Sequence, residues 1–575
     1  MLPRVLLLLS FLSLSLSLEP LAATFDDDVR EALRRRLENA ALPGVLAVGR
    51  EPIYSRVSLP EFYQQRRYQP AWSEAGKPRT EAFELAASIR NAAAEGLIPE
   101  HYHLQRIETQ LGALERQPSA AAAVDLDLLL TDAFLVLGSH YLMGRINPET
   151  VDPEWRAKRR EGDMVRSLQE AIATGRVAAS LQTLLPAAPE YAGLREALAR
   201  HRQFASEGGW PVVPAGPTLR PGDLDPRVAI LRERLARSGD LDAALAAGDL
   251  FDEPLEEAVR QFQSRHGLAV DSVVGPATLA ALNVPVATRI RQIELNLERW
   301  RWLPQDLGRR HILVNIAAFR LDLVDEGRSV LDMRVVVGKP YRRTPVFSGT
   351  MTYLVLNPYW EVPPRIAIRD ILPEVRKDPA YLQRSGMKVF RGWGTESREI
   401  DPDGVDWAGL ASSPFPYRLR QDPGPTNALG RIKFMFPNPY HVYMHDTPAR
   451  ELFLKEARTF SSGCIRLEKP LELALRLLQG SDLDSPEALA AALARERSKM
   501  VHLSAPLPVH LLYWTAWMTE DGIVHFRPDI YGRDLRLLAA LDQPAPNAAP
   551  KKNADGSPPA SPATASVSRG LPIFP

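Results

Sequence analysis

The chain of 575 residues has a single cysteine, Cys464, and no excess of charge of either sign. Its 70 basic and 70 acidic residues give a formal net charge of zero, which does not predict a nucleic acid or an acidic membrane surface as partner. One cysteine excludes an intramolecular disulfide bond. The sequence also lacks a metal-ligand motif such as H-E-x-x-H, and we expect neither a metal nor another cofactor. The thiol is therefore an inert packing residue or a reactive group.

The N-terminal segment "MLPRVLLLLSFLSLSLSLEPLAA", residues 1–23, has the layout of a signal peptide. One basic residue, Arg4, precedes the apolar run, and small residues end the segment at Ala23. The run is shorter than the ~20 residues that span a bilayer. We therefore predict cleavage near Ala23 and export of the mature protein, with retention of the segment as an anchor as the alternative. A free thiol is a liability in an oxidising compartment, which suggests that this one is used.

The length indicates several domains, because single hydrophobic cores stop growing well below this size. Residues 26–208 are rich in Ala, Leu, Arg and Glu, with apolar residues three and four apart, which predicts a helical scaffold domain. A Gly/Pro-rich linker is predicted at 209–223. Residues 224–287 are predicted to form a small domain of three helices, one of which ends at Gly267.

Strand patterns follow. The segment "HILVNIAAFRLDLVDEGRSVLDMRVVVG" alternates β-branched and polar residues around a turn, which is a hairpin signal. We place a mainly β domain at 288–504, with an inserted lid at about 366–422. Residues 505–545 form a C-terminal extension that packs on this domain. The tail 546–575 is predicted to be disordered, because it has few bulky apolar residues to bury. The fold class is multidomain α+β.

Candidate catalytic groups surround the thiol. The segment "YHVYMH" alternates like a strand, so that His441, Tyr443 and His445 share a face. A returning chain would bring His445 to Cys464, although the spacing alone does not require it. A neighbouring imidazole can take the thiol proton, which leaves a thiolate beside an imidazolium. Attack on a carbonyl then creates an oxyanion, for which backbone N–H groups around Gly463 are candidate donors.

The wider pattern has a family likeness. His445, followed by "SSGCIRL" and preceded by "GPTNALGRIKFMFPN", resembles the L,D-transpeptidases with a YkuD-type catalytic domain. That family's signature is a histidine followed by Ser/Thr-x-Gly-Cys-x-Arg. Residues 461–466 fill these places, with Ser462 where many members have histidine. The likeness to the large periplasmic type covers nearly the whole chain between the signal peptide and the last thirty or so residues. Residues 224–287 resemble the peptidoglycan-binding domain of bacterial wall enzymes.

The resemblance implies a peptidoglycan L,D-transpeptidase that forms 3→3 cross-links through a thioester. It implies Cys464 as nucleophile, His445 as general base and acid, and Gly463 as a backbone donor to the oxyanion. Stem peptides and glycan are the implied partners, with other wall-synthesis enzymes beside them, and the lid would hold the stems. Carbapenems are expected to acylate the same thiol. The substrate-binding residues on this interpretation are Arg466, whose guanidinium fork suits a carboxylate, Tyr443, Ser461, Ser462 and Trp360.

Other interpretations stay open. Water could resolve the same thioester, which would make the protein an L,D-carboxypeptidase, and a lysine of a wall-attached protein is another acceptor. Ser385 and Lys388 match the S-x-x-K motif of penicillin-binding enzymes, but S-D-N and K-T-G are absent. A non-catalytic wall-binding protein would be expected to lack His445 or Cys464. We also expect an exposed cysteine of low pKa to be sensitive to thiol oxidants.

Overall fold

The computed structural model describes residues 19–39, 46–156, 159–392, 394–410 and 415–543. The first part of the chain is mainly helical, as predicted. Its helices are α1 (Glu19–Asn39), α2 (Ser58–Gln65), α3 (Thr80–Asn91), α4 (Leu104–Arg116), α5 (Ala120–Met143), α6 (Pro148–Val151), α7 (Met164–Thr174), α8 (Val177–Thr183) and α9 (Pro189–Ser206). Short 3₁₀ turns follow α3, at Ala92–Glu95 and Pro99–Tyr102.

Helix α5 is the centre of this helical part. It begins where the Ser119 hydroxyl accepts the N–H of Ala122, and it is apolar on nearly every side. Helices α1, α3, α4 and α7 pack around it. Two small hairpins complete this part, β1 (Ala47–Val48) with β2 (Glu51–Pro52), and β3 (Ser73–Glu74) with β4 (Lys77–Pro78). A further strand, β5 (Trp155–Arg156), leaves it to join the large sheet described below.

The small domain has the three predicted helices, α10 (Pro226–Arg237), α11 (Glu253–His266) and α12 (Pro276–Leu282), with a 3₁₀ turn at Ala243–Leu245. Helix α11 ends at Gly267, whose φ of +70° suits glycine, as expected. The core of this domain extends back to Val213 and Leu219, which are 1% and 2% exposed. The predicted linker at 209–223 is therefore packed against the domain at two apolar residues.

The mainly β part is one large sheet. Its strands are β5, β6 (Arg310–Asn315), β7 (Arg320–Asp325), β8 (Arg328–Gly338), β9 (Val346–Leu356), β14 (Ile432–Met435), β15 (Met444–His445), β16 (Thr459–Ser461), β17 (Ile465–Leu467) and β18 (Lys499–Leu512). The order is β14-β15-β17-β8-β7-β6-β18-β9-β5, with β16 on β8. Because β14 also pairs with β9, the sheet closes into a barrel. The predicted hairpin is β7–β8, with Asp325 opposite Arg328.

An insert between β9 and β14 has its own core. It contains β10 (Trp360–Glu361), α14 (Pro364–Ile366), a π-helical turn (Ala367–Ile371), α15 (Leu372–Lys377), α16 (Tyr381–Arg384), β11 (Met387–Arg391), β12 (Arg398–Ile400), β13 (Tyr417–Gln421) and 3₁₀ turns at Gly394–Glu396 and Pro402–Gly404. Its strands pair in the order β10-β13-β11-β12. Buried side chains such as Leu372, Val389 and Leu419 pack between sheet and helices. The insert begins at β10, slightly before the predicted start at 366.

The C-terminal part continues the sheet. Helices α17 (Pro470–Leu477) and α18 (Pro486–Ala494) follow β17 and lead into β18. The predicted boundary at 504/505 falls inside β18 and is wrong, because Val509–Leu512 are buried and pair with β6 and β9. A Glu-Asp-Gly turn joins β19 (Ala516–Met518) to β20 (Val524–Phe526), and α19 (Arg533–Leu541) follows.

Helix α13 (Val286–Arg301) connects the parts. It packs against α9 of the helical scaffold and against β19 and α19 of the C-terminal segment. In its last turn the fully buried Arg301 forms an ion pair of 2.7 Å with Glu298. The small domain is held by a stacking contact between His266 and Phe526, whose ring centroids are 5.6 Å apart. The predicted start of the β domain at 288 therefore falls within a connecting helix.

Two predicted segments lie wholly or largely outside the described residues. The signal peptide, 1–23, enters the described range only at Glu19, where α1 begins, and the tail 546–575 does not enter it. Both stay predictions. Within the described ranges, no helix is both long enough and apolar enough to cross a bilayer.

Candidate active site

Three adjacent strands bring the candidate residues to one face of the barrel. On β14 and β15, Lys433 lies opposite His445, and on β15 and β17, His445 lies opposite Arg466. The alternate residues Phe434, Met444 and Ile465 are fully buried in the barrel core. Because side chains alternate across a strand, the other face carries the polar set. That set is Lys433, Tyr443, His445, Cys464 and Arg466.

One residue of the predicted face does not belong to it. His441 lies in the turn before β15, with a φ of +55°, and its side chain is exposed. The prediction that His441 shares the face of Tyr443 and His445 is therefore wrong. The regular strand begins only at Met444, since Asn438 holds the preceding turn by accepting the N–H groups of Tyr440 and Val442.

The loop before the thiol is held by hydrogen bonds to its backbone. The Ser461 hydroxyl donates to the carbonyl of Cys464 at 2.5 Å and accepts the N–H of Gly463 at 3.1 Å. The Thr344 hydroxyl donates to the Gly463 carbonyl at 2.9 Å. Gly463 has a φ of +119°, which a residue with a side chain rarely adopts. The predicted donor of Gly463 is thus engaged, whereas the N–H of Cys464 makes no hydrogen bond within the described chain.

The thiol of Cys464 is half-buried and contacts Tyr443. The phenol hydroxyl and the backbone N–H of Tyr443 both interact with the sulfur and lower the pKa of the thiol. Burial raises the pKa of the thiol, and the Tyr443 donors and the charges of Lys433 and Arg466 offset this only in part. The sequence-based expectation of an exposed thiol with a low pKa is therefore wrong. The resting group is a neutral thiol.

The imidazole of His445 is also neutral. It is 5% exposed, and burial, together with the charge of Arg466, lowers its pKa to about 3. Its Nδ1 lies 2.5 Å from the Asp446 carbonyl, so Nδ1 carries the proton and donates it to that oxygen. This tautomer leaves a lone pair on Nε2. His445 makes no hydrogen bond to Cys464 among the described residues, and its ring centroid is 5.7 Å from that of Tyr443.

Two cations beside the thiol lack an acidic partner. Arg466 makes no hydrogen bond or ion pair in the described chain, and its Nε is buried. Glu451 contributes only a longer-range field to it. Lys433 was missed by sequence reasoning, and its Nζ lies 3.9 Å from the centroid of the Tyr443 ring. The sequence feature that could have identified Lys433 is a lysine between two apolar residues of a strand, in "RIKFMF".

The remaining predicted substrate-binding residues, Ser462 and Trp360, lie outside the polar face. Ser462 is exposed, and its hydroxyl accepts a hydrogen bond of 2.9 Å from Arg342, which also pairs with Asp370 of the insert. Trp360 pairs with Gln421 in the insert sheet and packs on the insert core. Sequence reasoning did not find Arg342, since nothing local marks an arginine that acts across two loops.

The S-x-x-K alternative has no matching geometry. The Ser385 hydroxyl donates to the Tyr381 carbonyl at 2.6 Å, as a side chain at a helix end does, and Lys388 pairs with Asp422 at 2.7 Å. Both residues belong to the insert. No group of three or more His, Cys, Asp or Glu side chains in the described ranges could hold a metal ion.

Comparison with protein families agrees with this division of the chain. Residues 57–198 match a scaffold domain, residues 225–282 match a family described as "Putative peptidoglycan binding domain", and residues 309–485 match the L,D-transpeptidase catalytic domain of the YkuD family. The barrel with its polar face thus lies within the segment that matches the L,D-transpeptidase catalytic domain. The segments that match a scaffold domain and a peptidoglycan-binding domain precede it.

Curated relatives share parts of the chain. It is 35% identical over 250 residues, 44% of its length, to a Haemophilus influenzae protein named "Putative L,D-transpeptidase", of which the match covers 49%. It is 43% identical over 75 residues, 12% of its length, to the N-acetylmuramoyl-L-alanine amidase CwlM of Mycobacterium tuberculosis, of which 18% is covered. The chain therefore spans about half or less of these relatives.

Solved structures of L,D-transpeptidases also match, weakly. One from Xylanimonas cellulosilytica has 17% sequence identity and a TM-score of 0.18, covering 52% of this chain and 99% of that one. One from Mycobacterium smegmatis has 16% identity and a TM-score of 0.17, covering 36% of this chain and 58% of that one. Superpositions this poor add nothing to the assignment.

Proposed function

We propose that this chain is a peptidoglycan L,D-transpeptidase that acts in the periplasm and forms 3→3 cross-links between stem peptides. The observation that carries the proposal is the polar face of the barrel. It holds the chain's single thiol, a histidine with a free Nε2 lone pair, and two cations without acidic partners among the described residues, within the segment that matches the catalytic family. Such a face suits a nucleophile and an acidic peptide substrate.

The first half-reaction transfers an acyl group to sulfur. The Cys464 thiol attacks the carbonyl carbon of the third residue of a tetrapeptide stem, while Nε2 of His445 takes the thiol proton. The C–N bond to the terminal D-alanine breaks, and the imidazolium returns its proton to the leaving amine. A thioester remains on Cys464. Since the resting pair is neutral, we expect proton transfer to accompany attack rather than precede it.

Backbone geometry supports one oxyanion donor directly. The N–H of Cys464 has no partner in the described chain, so it is available to the developing oxyanion. The N–H of Gly463 donates to Ser461, and we assign Gly463 the role of allowing the turn, with its N–H as a donor only when Ser461 releases it. Tyr443 supports the sulfur, and Arg466 receives a substrate carboxylate.

The second half-reaction decides between the alternatives. A side-chain amine of a neighbouring stem attacks the thioester carbon, the C–S bond breaks, and the thiol regains a proton. Water in place of the amine would make the protein an L,D-carboxypeptidase, and a protein lysine would attach that protein to the wall. We favour the stem amine, because the insert and the peptidoglycan-binding domain provide surface for wall material beside the barrel.

The experiment uses the purified protein with a disaccharide-tetrapeptide and mass spectrometry of both products and protein. We expect a dimer lighter than two substrates by one D-alanine, and a carbapenem adduct on Cys464. Both are lost in Cys464→Ala, and His445→Ala lowers turnover by about 10²- to 10⁴-fold. Ser385→Ala is the matched control and keeps activity, since its hydroxyl only caps a helix.

Other outcomes reassign the site. Tripeptide monomer without dimer indicates the carboxypeptidase. Dimer formation that survives Cys464→Ala would place the nucleophile elsewhere. Absence of product together with absence of a carbapenem adduct would leave a non-catalytic wall-binding protein.

A further inference from the structure

Lys433 is a cation of the polar face for which neither family signature nor chain neighbours provide a role. It lies on β14 directly opposite His445 and is half-buried. No hydrogen bond or ion pair of its ammonium group is formed in the described chain. Burial lowers its pKa, while the Cys464 sulfur is the group that raises it. Burial of an ammonium group without a carboxylate partner costs free energy. A negative charge that forms nearby during a reaction would offset this cost.

The geometry connects this ammonium to the sulfur through one aromatic ring. Nζ of Lys433 lies 3.9 Å from the ring centroid of Tyr443, which is the position of a cation–π contact. The hydroxyl of the same Tyr443 interacts with the sulfur of Cys464, lowering the pKa of the thiol. A cation above the ring draws electron density from the phenol, so its O–H becomes a stronger donor. The ammonium thus contacts the ring whose hydroxyl interacts with the sulfur.

We propose that Lys433 is a positioning residue of the active site, which stabilises the Cys464 thiolate by strengthening the hydrogen bond that Tyr443 donates to the sulfur. Its part in turnover rests on the proposed transpeptidase function. Its effect on the sulfur does not, since a thiolate reacts with simple alkylating reagents whether or not the protein turns over a wall peptide.

Other charged groups face the sulfur and must be separated from this effect. Arg466 on β17 and His445 on β15 share its face, and Arg342 approaches from the loop after β8 through Ser462. Arg342 is paired with Asp370 and is thereby largely neutralised. Arg466 and Lys433 both act on the sulfur through space. Among the described residues, Lys433 also contacts the Tyr443 ring, whereas Arg466 does not.

The test is the rate of iodoacetamide alkylation as a function of pH, in the full-length protein, where Cys464 is the only thiol. For Lys433→Met we expect the thiol titration to move up by about one pH unit, which is about tenfold slower alkylation at pH 7. The limiting rate at high pH is unchanged. Lys433→Arg restores the profile, and Lys433→Gln serves as a second neutral variant should Lys433→Met fold poorly. Lys499→Met, which removes an exposed charge from β18 of the same barrel, titrates as wild type.

A double-mutant cycle tests the route through the ring. In a Tyr443→Phe background the hydroxyl is gone, so we expect Lys433→Met to change alkylation by less than about threefold. A tenfold effect that persists in this background would overturn the Tyr443 route, and a wild-type profile for both neutral variants at Lys433 would overturn the proposal outright. If the wild-type protein forms no cross-linked dimer but its thiol titrates as expected and responds to Lys433→Met, only the proposed transpeptidase function is contradicted.

Discussion

At the scale of single residues, burial holds both reacting groups neutral. The pKa of Cys464 is raised and that of His445 is lowered to about 3, so the resting site has no thiolate–imidazolium pair. This differs from the pair that sequence reasoning anticipated. The difference arises because the pKa of a group depends on its desolvation, which no spacing of residues reveals.

The first prediction concerns the pH dependence of carbapenem acylation. The reactive state is the neutral pair, because the thiol passes its proton to His445 during attack. Burial raises the pKa of the thiol and lowers that of His445 to about 3, so this pair is populated throughout pH 6 to 8.5. The second-order acylation rate should therefore stay nearly constant over that range. Rates measured by intact-mass spectrometry that fall below a midpoint near pH 6.5 would show a titrating histidine and contradict this.

Sequence reasoning found the parts of the site that carry a motif. Cys464, His445, Gly463 and Arg466 stand in a short pattern, and the structure brings all four to the end of the same three strands. Lys433 and Arg342 carry no motif. Their positions beside the thiol come from strand register and from a contact between loops more than a hundred residues apart in the chain. Such relations are properties of the folded sheet.

At the scale of elements, one arginine joins the cysteine loop to the insert. The Arg342 side chain is 8% exposed and pairs with Asp370, while its Nη1 donates to Ser462. Asp370 lies in the π-helical turn at Ala367–Ile371. The insert otherwise has a core of its own, so this contact links its position to that of the loop that holds Cys464.

The second prediction follows from that contact. Asp370→Asn removes the charge and frees Arg342, so we expect acylation by the tetrapeptide to slow by about three- to tenfold, which corresponds to about 0.6–1.4 kcal/mol, the range of a typical hydrogen bond. Alkylation by iodoacetamide, which is too small to touch the insert, should change less than twofold. The matched control is Asp378→Asn, whose pair with Arg384 is exposed in the same insert. Equal slowing of both reagents would mean that the substitution distorts the thiol itself.

Differences between the predicted and observed boundaries have a common physical cause. The segment 209–223 reads as a linker by composition, yet Val213 and Leu219 are buried in the small domain. The predicted boundary at 504/505 cuts β18, whose register with β6 and β9 extends the barrel. In both cases a few buried residues decide where a domain ends, and these depend on tertiary partners that local patterns do not contain.

At the scale of the whole molecule, the order of the domains was predictable and their packing was not. Helical periodicity, Gly/Pro-rich stretches and strand alternation separate the three main parts in the sequence. They do not predict that β5 of the helical scaffold extends the catalytic sheet beside β9. They also do not predict that the C-terminal α19 contacts both α6 of the scaffold and α13. Such packing makes the parts one structural unit.

The third prediction concerns Arg533, whose ion pairs connect α19 to the scaffold. Its side chain is 2% exposed and forms ion pairs with Asp152 at 2.7 Å and Glu154 at 3.0 Å, which join α19 to the scaffold. Arg533→Met leaves Asp152 buried and unpaired, and we expect a loss of about 3–5 kcal/mol in the free energy of unfolding. Adding Asp152→Asn should recover part of the loss. Urea unfolding measures both, and a loss below about 1 kcal/mol for Arg533→Met would show that the domains do not depend on this junction.

The fourth prediction is acid sensitivity of the whole fold, caused by histidines that are buried in the neutral form. Their folded-state pKa values lie below the unfolded value of about 6.5, so below that pH the unfolded chain binds protons that the folded chain does not, and stability falls as pH falls. Above it, they contribute no pH dependence. Those with pKa values of about 3 or 4 are His140, His201, His445, His510 and His525.

His201 offers a matched variant for this effect. Its ring lies among Phe204, Trp210 and Phe526, so phenylalanine fits the same aromatic surroundings. With a pKa of about 4 when folded, His201 costs about 2 kcal/mol at pH 5 relative to pH 7. We therefore expect His201→Phe to lose about 2 kcal/mol less than wild type between these pH values in urea unfolding. Groups whose folded pKa is raised, such as Asp127 at about 6, act in the opposite sense in both proteins and cancel in this comparison. An unchanged pH dependence would mean that His201 is protonated in the folded state.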